Sequence, residues 1–336
     1  MLSPPLLAIA SRPLEWVNAA ARAAYRLGLR TSCRAPAPVI SVGNIALGGT
    51  GKTPLVAALA RTLLDSGARP AVLTRGYRRR TAEPRLVRGE QGVRWEEIGD
   101  EPALLARALP RLPMVVDADR VRGAARAVAE AGATHLLLDD GFQHWRLARE
   151  LDLVATPMED PLCRRRPRRE HPRALRRAHA VLLTDSHPAG VAEARAAVTR
   201  VAPGIPVLAT AVLPRAVHHQ GVCHPPQWLA GQRVIAVAGI ASPVRFFAQL
   251  AALGAELVTL VPLPDHHVLT EPHATRLLRQ ADRERALLIL TAKDVVKLPP
   301  RLASSAAWLE IETVPLEGSF LDLLSPVLSS PPSGPP

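Results

Sequence analysis

Residues 43–54 read Gly43-Asn44-Ile45-Ala46-Leu47-Gly48-Gly49-Thr50-Gly51-Lys52-Thr53-Pro54, and this stretch decides the fold. Before it runs Pro38-Val39-Ile40-Ser41-Val42, an apolar β-type segment; after it, residues 55–64 carry a helical pattern. Strand, glycine loop, Lys-Thr and helix, in that order, form a phosphate-binding P-loop. The glycines let backbone N–H groups turn toward an anion, which the positive end of the following helix also attracts. Lys52 reaches β- and γ-phosphates from there, and the Thr53 hydroxyl ligates Mg2+. Nucleotide contacts are therefore expected over Ala46, Leu47, Gly48, Gly49, Thr50, Gly51, Lys52 and Thr53. One position departs from the pattern: Ala46 stands where the first glycine, five residues before Gly51, is usual. A glycine-rich turn with an incidental lysine leaves the flanking strand and helix unexplained.

Outward from the loop, strand-like runs at 70–74, 113–117, 135–140, 151–155, 180–184 and 206–212 alternate with helical stretches such as 101–108 and 121–130. Continuous apolar runs of this kind are strands covered on both faces. The class is α/β: a P-loop NTPase-type, mostly parallel sheet with helices on both faces. The pattern pauses over the Pro/His-rich residues 214–227 and then resumes. Strands are expected at 234–239, 256–260, 286–291 and 308–311, with helices from Pro243 and over 271–282. The expected division is an N-terminal helical region 1–35, a P-loop domain 36–213, a smaller C-terminal α/β domain 214–328, and a disordered tail 329–336 rich in Pro.

The 336 residues have length enough for two domains, with 48% hydrophobic residues but only 3% aromatic, so the cores are built from Leu, Val and Ala. The net charge of +12 is an arginine excess and points to an anionic partner. Nucleic acid is not that partner: stacking aromatics are scarce and no nucleic-acid motif occurs. No obligate protein partner is evident either. Cys33, Cys163 and Cys223 lie far apart, which is no disulfide framework and points to a reducing compartment. Cys223-His224 with His218 and His219 lacks a second Cys pair and reads as a polar loop, not a zinc site. No apolar run approaches the ~18–20 residues of a membrane span, and no signal peptide is evident. Residues 14–29 form a helix with Leu14, Val17, Ala21, Ala24 and Tyr25 on one face, and Arg22, Arg26 and Arg30 on another. Such a segment either lies in a membrane interface or packs against a soluble core.

Several polar clusters fall at strand ends, where parallel sheets bind ligands. Asp139-Asp140 closes one strand as the Mg2+-holding acid of a nucleotide site does, and Gln143 follows a turn later, near the metal. Arg75 and Tyr77 follow another strand, where a guanidinium forks onto phosphate or the turn simply opens a helix. Asp100, in Gly99-Asp100-Glu101-Pro102, is either a helix N-cap or a proton acceptor near the γ-phosphate. Asp265-His266-His267 places a His beside an acid, suited to proton transfer or to orienting a base. Residues 164–177 hold eight arginines, as a solvated loop, a lid or an anion clamp.

The ordered set resembles one family, the tetraacyldisaccharide 4'-kinases that act on lipid A precursors. It comprises the P-loop with Ser41 and Val42, Thr74-Arg75-Gly76-Tyr77, Gly99-Asp100-Glu101-Pro102, Asp119-Arg120, and Leu138-Asp139-Asp140-Gly141-Phe142-Gln143-His144. In the second half follow Ala238-Gly239-Ile240, Pro264-Asp265-His266-His267 and Thr291-Ala292-Lys293-Asp294. The resemblance implies transfer of the ATP γ-phosphate, with Mg2+, to the 4'-hydroxyl of a tetraacyldisaccharide 1-phosphate, giving lipid IVA. It implies a peripheral enzyme on the cytoplasmic face of a bacterial inner membrane, touching anionic lipid through the first helix. By the same similarity Asp100 and His266 form the proton-accepting pair, supported by Asp265, while Asp139, Asp140 and Gln143 serve the metal or nucleotide. Arg75, Tyr77 and Arg120 hold phosphate or substrate, and Arg169-Glu170 matches the family's Arg-Glu. The rival is a P-loop GTPase or metallochaperone; guanine recognition needs Asn/Thr-Lys-x-Asp, and here Lys293 and Asp294 are adjacent.

Overall fold

The chain enters its sheet at Val39–Gly43 (β1), a run buried at every position. The structure, a computed structural model, describes residues 4–77, 79–89 and 94–329. Ahead of β1 lies Pro4–Arg26 (α1), and the P-loop leads from β1 into Lys52–Asp65 (α2). Then come Pro70–Thr74 (β2), Arg85–Arg88 (β3), Trp95–Ile98 (α3), Asp100–Ala108 (α4), Pro113–Val116 (β4) and Arg120–Ala131 (α5). His135–Asp139 (β5), Leu151–Pro157 (β6), Ala180–Thr184 (β7) and Val191–Val201 (α6) complete the first half. The second half runs Val207–His219 (β8), Val222–His224 (β9), Arg233–Ala238 (β10), Pro243–Ala252 (α7), Glu256–Pro262 (β11) and Glu271–Glu284 (α8). It ends with Leu287–Thr291 (β12), Ala292–Val295 (α9), Pro300–Ala303 (α10), Ala307–Pro315 (β13) and Phe320–Leu328 (α11).

One sheet carries both halves, in the order β11-β10-β12-β13-β8-β7-β6-β1-β5-β2-β4-β3, with β9 paired to β8. Pairing is parallel except for β8–β13, β8–β9 and β3–β4. Side chains alternate across it. Ile40, Val42 and Leu137 pack under α2 and α4 on one face, while Val39, Leu136 and Leu138 pack with α5 on the other. In the second half, Val237 and Leu290 meet α8 on one face, and Ala236 and Ile289 meet α7 on the opposite one. Helices therefore cover both faces.

Two expectations change. The boundary set between residues 213 and 214 falls inside β8, whose start pairs with β7 and whose remainder pairs with β13. Pro214 signalled a break, but the β8–β13 ladder shifts register there, opposite Glu310 and Ile311, and a bulge accommodates a proline. The region 214–328 is also not one unit. Phe320, Leu324 and Val327 of α11 return to the first half and bury beside α2. Leu324 is fully buried there, so Leu324→Ala is expected to destabilise the protein by about 2–5 kcal/mol, seen as a lower denaturation midpoint at unchanged slope. The predicted tail 329–336 lies outside the described residues except for Ser329.

Helix α1 begins earlier and ends sooner than residues 14–29, and it turns differently. Leu14, Ala21 and Tyr25 are half-buried against the body, whereas Ile9, Trp16 and Val17 stand 57%, 73% and 65% exposed. Its inner face is held by polar bonds. Ser11 Oγ accepts the Arg168 amide at 2.8 Å, Glu15 pairs with Arg168 at 2.8 Å, and Asn18 donates to the Arg169 carbonyl at 3.0 Å. Ile9, Trp16 and Val17 are thereby left to face outward.

Candidate active site

The P-loop is shaped by its own side chains. Gly48 and Gly51 take left-handed φ of 93° and 74°. Asn44 donates to the Thr50 hydroxyl at 3.1 Å, and Thr184 at the end of β7 donates to the Thr50 carbonyl at 2.9 Å. No side chain caps α2, so its first-turn amides keep their donors for a ligand. At the start of the loop one backbone amide is already engaged. Leu47 N–H donates to the Pro167 carbonyl at 2.8 Å, and Ala46 bridges Arg168 as a short antiparallel pair. Both residues anchor the covering segment, and the Leu47 amide is committed to it. Ala46 also explains its own departure from glycine: it is fully buried in an apolar cluster with Phe142 and Leu162.

At the mouth of this loop Lys52 Nζ lies 3.4 Å from Asp140 Oδ1, and Arg169 donates to Asp140 Oδ2 at 2.7 Å. Burial alone would raise the Asp140 carboxyl, yet Lys52 and then Arg169 hold it below its ordinary value. Neighbouring Asp139 is 4% exposed; burial first, and then the Asp140 charge, push it upward. Its Oδ2 accepts from Thr74 at 3.1 Å, and its Oδ1 has no hydrogen-bond donor. Arg120 is buried beneath the acids, holding the Asp117 and Ala118 carbonyls at 3.3 and 3.2 Å. Burial lowers its pKa, opposed chiefly by Asp139.

Gln143 differs from expectation. Its amide donates to the Asn44 carbonyl at 2.9 Å and to Glu170 at 2.8 Å, and its oxygen lies 3.4 Å from Arg169. Its nitrogen braces the loop, and its oxygen faces the Arg169 guanidinium. Glu170 in turn takes a forked pair from Arg177, whose guanidinium stacks 3.6 Å from the Phe142 ring. Arg177 had no sequence signal beyond membership of the arginine run, and Glu170 only the Arg169-Glu170 match.

The second half supplies its groups through the turn after β11. His266 Nδ1 lies 2.6 Å from Asp100 Oδ2, joining residues 166 positions apart. Asp100 is 4% exposed and opens α4 after Gly99, so it is not itself the N-cap. Gly99 sits at φ 97°, where a Cβ would come within 2.6 Å of the Tyr77 carbonyl. Only glycine lets the helix start against the Arg75-Gly76-Tyr77 turn. Arg75 and Tyr77 themselves are exposed at this rim.

Asp265 supports His266 indirectly. Its Oδ2 is 3.7 Å from His266 Nε2, while its Oδ1 takes Lys293 at 2.9 Å; Lys293 Nζ is 3.4 Å from His266 Nε2. An ammonium only donates, so the Nε2 facing it carries the lone pair and Nδ1–H donates to Asp100. His266 adopts a left-handed φ of 63°, which needs a rigid frame. Buried Lys297 provides it, gripping the His267 carbonyl at 2.7 Å and Asp294 at 3.1 Å, while Asp294 accepts the Gly239 amide at 2.8 Å. Lys293, Asp294 and Lys297 were not assigned these tasks from sequence.

Among the described residues no group of three or more His, Cys, Asp or Glu converges as a metal cage. Cys223 is exposed, and His224 stacks on Trp228 at 4.2 Å.

The family model for tetraacyldisaccharide-1-P 4'-kinase matches residues 4–328. The chain belongs to the tetraacyldisaccharide 4'-kinase family. The tetraacyldisaccharide 4'-kinase of Anaeromyxobacter dehalogenans is 41% identical over 90% of this chain and 85% of its own. That of Syntrophus aciditrophicus is 39% identical over 86% and 83%. The crystal structure of LpxK from Aquifex aeolicus in complex with ATP aligns with a TM-score of 0.76 at 27% identity, covering 97% of this chain and 98% of that one. Both halves of the sheet thus belong to the tetraacyldisaccharide 4'-kinase fold, and the P-loop, Asp100, Asp139, Asp140 and His266 all lie inside the matched span.

Proposed function

We propose that the protein transfers the γ-phosphate of ATP to the 4'-hydroxyl of a tetraacyldisaccharide 1-phosphate, giving lipid IVA. The observation that carries this reading is the 2.6 Å contact of Asp100 with His266 in a chain whose P-loop family acts on that acceptor. Lys52 stabilises charge spreading over the transferring phosphoryl group, the larger part of such catalysis. Asp100 accepts the hydroxyl proton, held in aim by the Nδ1–H of His266. Arg120 and Arg169 steady the acids, and Arg75 with Tyr77 meets the substrate at the rim.

Mg2+ suits the residues present. Asp139 Oδ1 is buried with no donor, Asp140 Oδ1 faces only Lys52, and Thr53 opens α2 beside that lysine. Few protein oxygens, completed by water and nucleotide phosphate, are what Mg2+ prefers. Asp139, Asp140 and Thr53 would hold it, and when bound it neutralises charge on the β- and γ-phosphates. Incubation with radiolabelled ATP, Mg2+ and the disaccharide 1-phosphate in detergent is expected to yield a bis-phosphorylated lipid; ATP consumption with no such product rejects the acceptor.

The GTPase reading finds no base site. Lys293 is bound to Asp265, and Asp294 to Gly239, Thr291 and Lys297, all within the second half. Lys293→Ala is expected to lower kcat by about 10–100-fold at near-constant KM for ATP, since it removes one charged hydrogen bond that fixes the His266 tautomer. Lys293→Arg should recover part of it.

No helix of the described residues is long and apolar enough to cross a membrane. The exposed Ile9, Trp16 and Val17 face of α1 instead fits a helix lying in the headgroup boundary of the cytoplasmic leaflet, where the acylated acceptor resides.

A further inference from the structure

The eight arginines of residues 164–177 are only partly absorbed by the site. Arg169 and Arg177 pair with Asp140 and Glu170, Arg168 pairs with Glu15, and Arg166 donates to the Gly49 carbonyl. Three of the remaining four converge elsewhere. Arg164, Arg173 and Arg176, with Arg168, His171 and Arg200 of α6, line a cavity of about 310 Å3 that no carboxylate lines. Acids close in sequence are occupied: Asp160 accepts the Arg164 and Arg165 amides at 2.7 and 2.8 Å, and Glu15 takes Arg168. Arg176 turns only its Nε inward, to the Val201 carbonyl at 2.7 Å. Among the described residues the guanidinium groups of Arg164, Arg173 and Arg200 have no hydrogen-bond or ion-pair partner.

Five guanidinium groups around one concavity repel one another unless an anion shares the space. Phosphate is the anion their forked donors match, two oxygens at a time. The cavity's position selects the source of that phosphate. Its wall is fastened to α1, because Arg168 binds Ser11 through its amide and Glu15 through its side chain. The outer face of that helix is apolar, and a helix lying in the interface sits at the depth of the headgroups. We propose that this arginine cavity binds the phosphate of an anionic phospholipid and seats the protein on the bilayer beside α1. The proposal rests on the membrane reading of α1.

The test is cosedimentation of the full chain with vesicles of phosphatidylcholine, alone or mixed with phosphatidylglycerol. Arg164→Ala/Arg173→Ala/Arg200→Ala, all exposed, is expected to bind the mixed vesicles about 100-fold more weakly, roughly fivefold per arginine, with neutral vesicles unaffected. Arg276→Ala/Arg279→Ala/Arg283→Ala on α8 removes the same charge from exposed positions and should stay close to wild type. Equal losses in the two triple variants overturn the proposal, because bulk charge then explains binding. So does a raised KM for the disaccharide 1-phosphate in phospholipid-free detergent, which assigns the cavity to the substrate phosphate. A Trp16→Ser variant that binds neutral vesicles like wild type rejects the α1 reading separately.

Discussion

Lys52→Ala is expected to lower turnover by about 10²–10³-fold or more, with ATP affinity falling much less. The Lys52 side chain is 11% exposed and its ammonium lies 3.4 Å from Asp140, on the side from which a P-loop lysine reaches the β- and γ-phosphates of a nucleotide. A ground-state contact would raise KM alone; a group facing charge that spreads during transfer lowers kcat. The same lysine holds Asp140 ionised beside Asp139. Among the described residues its loss leaves Arg169 as the one cation bonded to Asp140. Steady-state kinetics together with a nucleotide titration separate the two effects. Near-normal kcat in the variant would remove the P-loop lysine from the mechanism.

That lysine was legible in sequence because everything that positions it is local. A buried strand, a glycine turn and a helix follow one another within residues 39–65, and each leaves its own pattern. Asp139 was legible for the same reason, at the end of an unbroken apolar strand. What escaped has no local signature. Pro214 looks like a chain break until the register shift against β13 shows why a proline is tolerated. The apolar face read in α1 divides: Leu14, Ala21, Ala24 and Tyr25 turn partly inward and Val17 outward, because the inner face is set by the polar bonds of Ser11, Glu15 and Asn18, which apolar periodicity does not register. Glu170, Arg177, Lys293 and Lys297 serve the site through partners that no spacing predicts. Gln143 was read as a metal group from its place after Asp140; that its nitrogen also ties Asn44 to Glu170, and that its oxygen faces Arg169, no spacing shows. Side-chain roles set by competition among several neighbours are decided only in three dimensions.

Asp100→Ala and His266→Ala are each expected to lower kcat by about 10²–10⁴-fold, the range of a lost general base. Their combination is expected to cost little more than the worse of the two. The reason is geometric. A 2.6 Å hydrogen bond joins them, and Lys293 beside Nε2 leaves the imidazole one proton to donate, at Nδ1. In the proposed mechanism His266 acts on the substrate through Asp100, by aiming its carboxylate, and has nothing to aim once Asp100 is gone. Independent roles would multiply the two losses instead. Asp100→Asn separates charge from shape: it keeps a side chain able to meet His266 but cannot take a proton, and should be as inactive as the alanine variant. The double-mutant cycle is read from kcat, with folding of each variant checked by thermal melting, because Asp100 is buried where α4 meets the first-half core. Multiplicative losses would place His266 on the substrate in its own right and reverse the assignment of roles between the two halves.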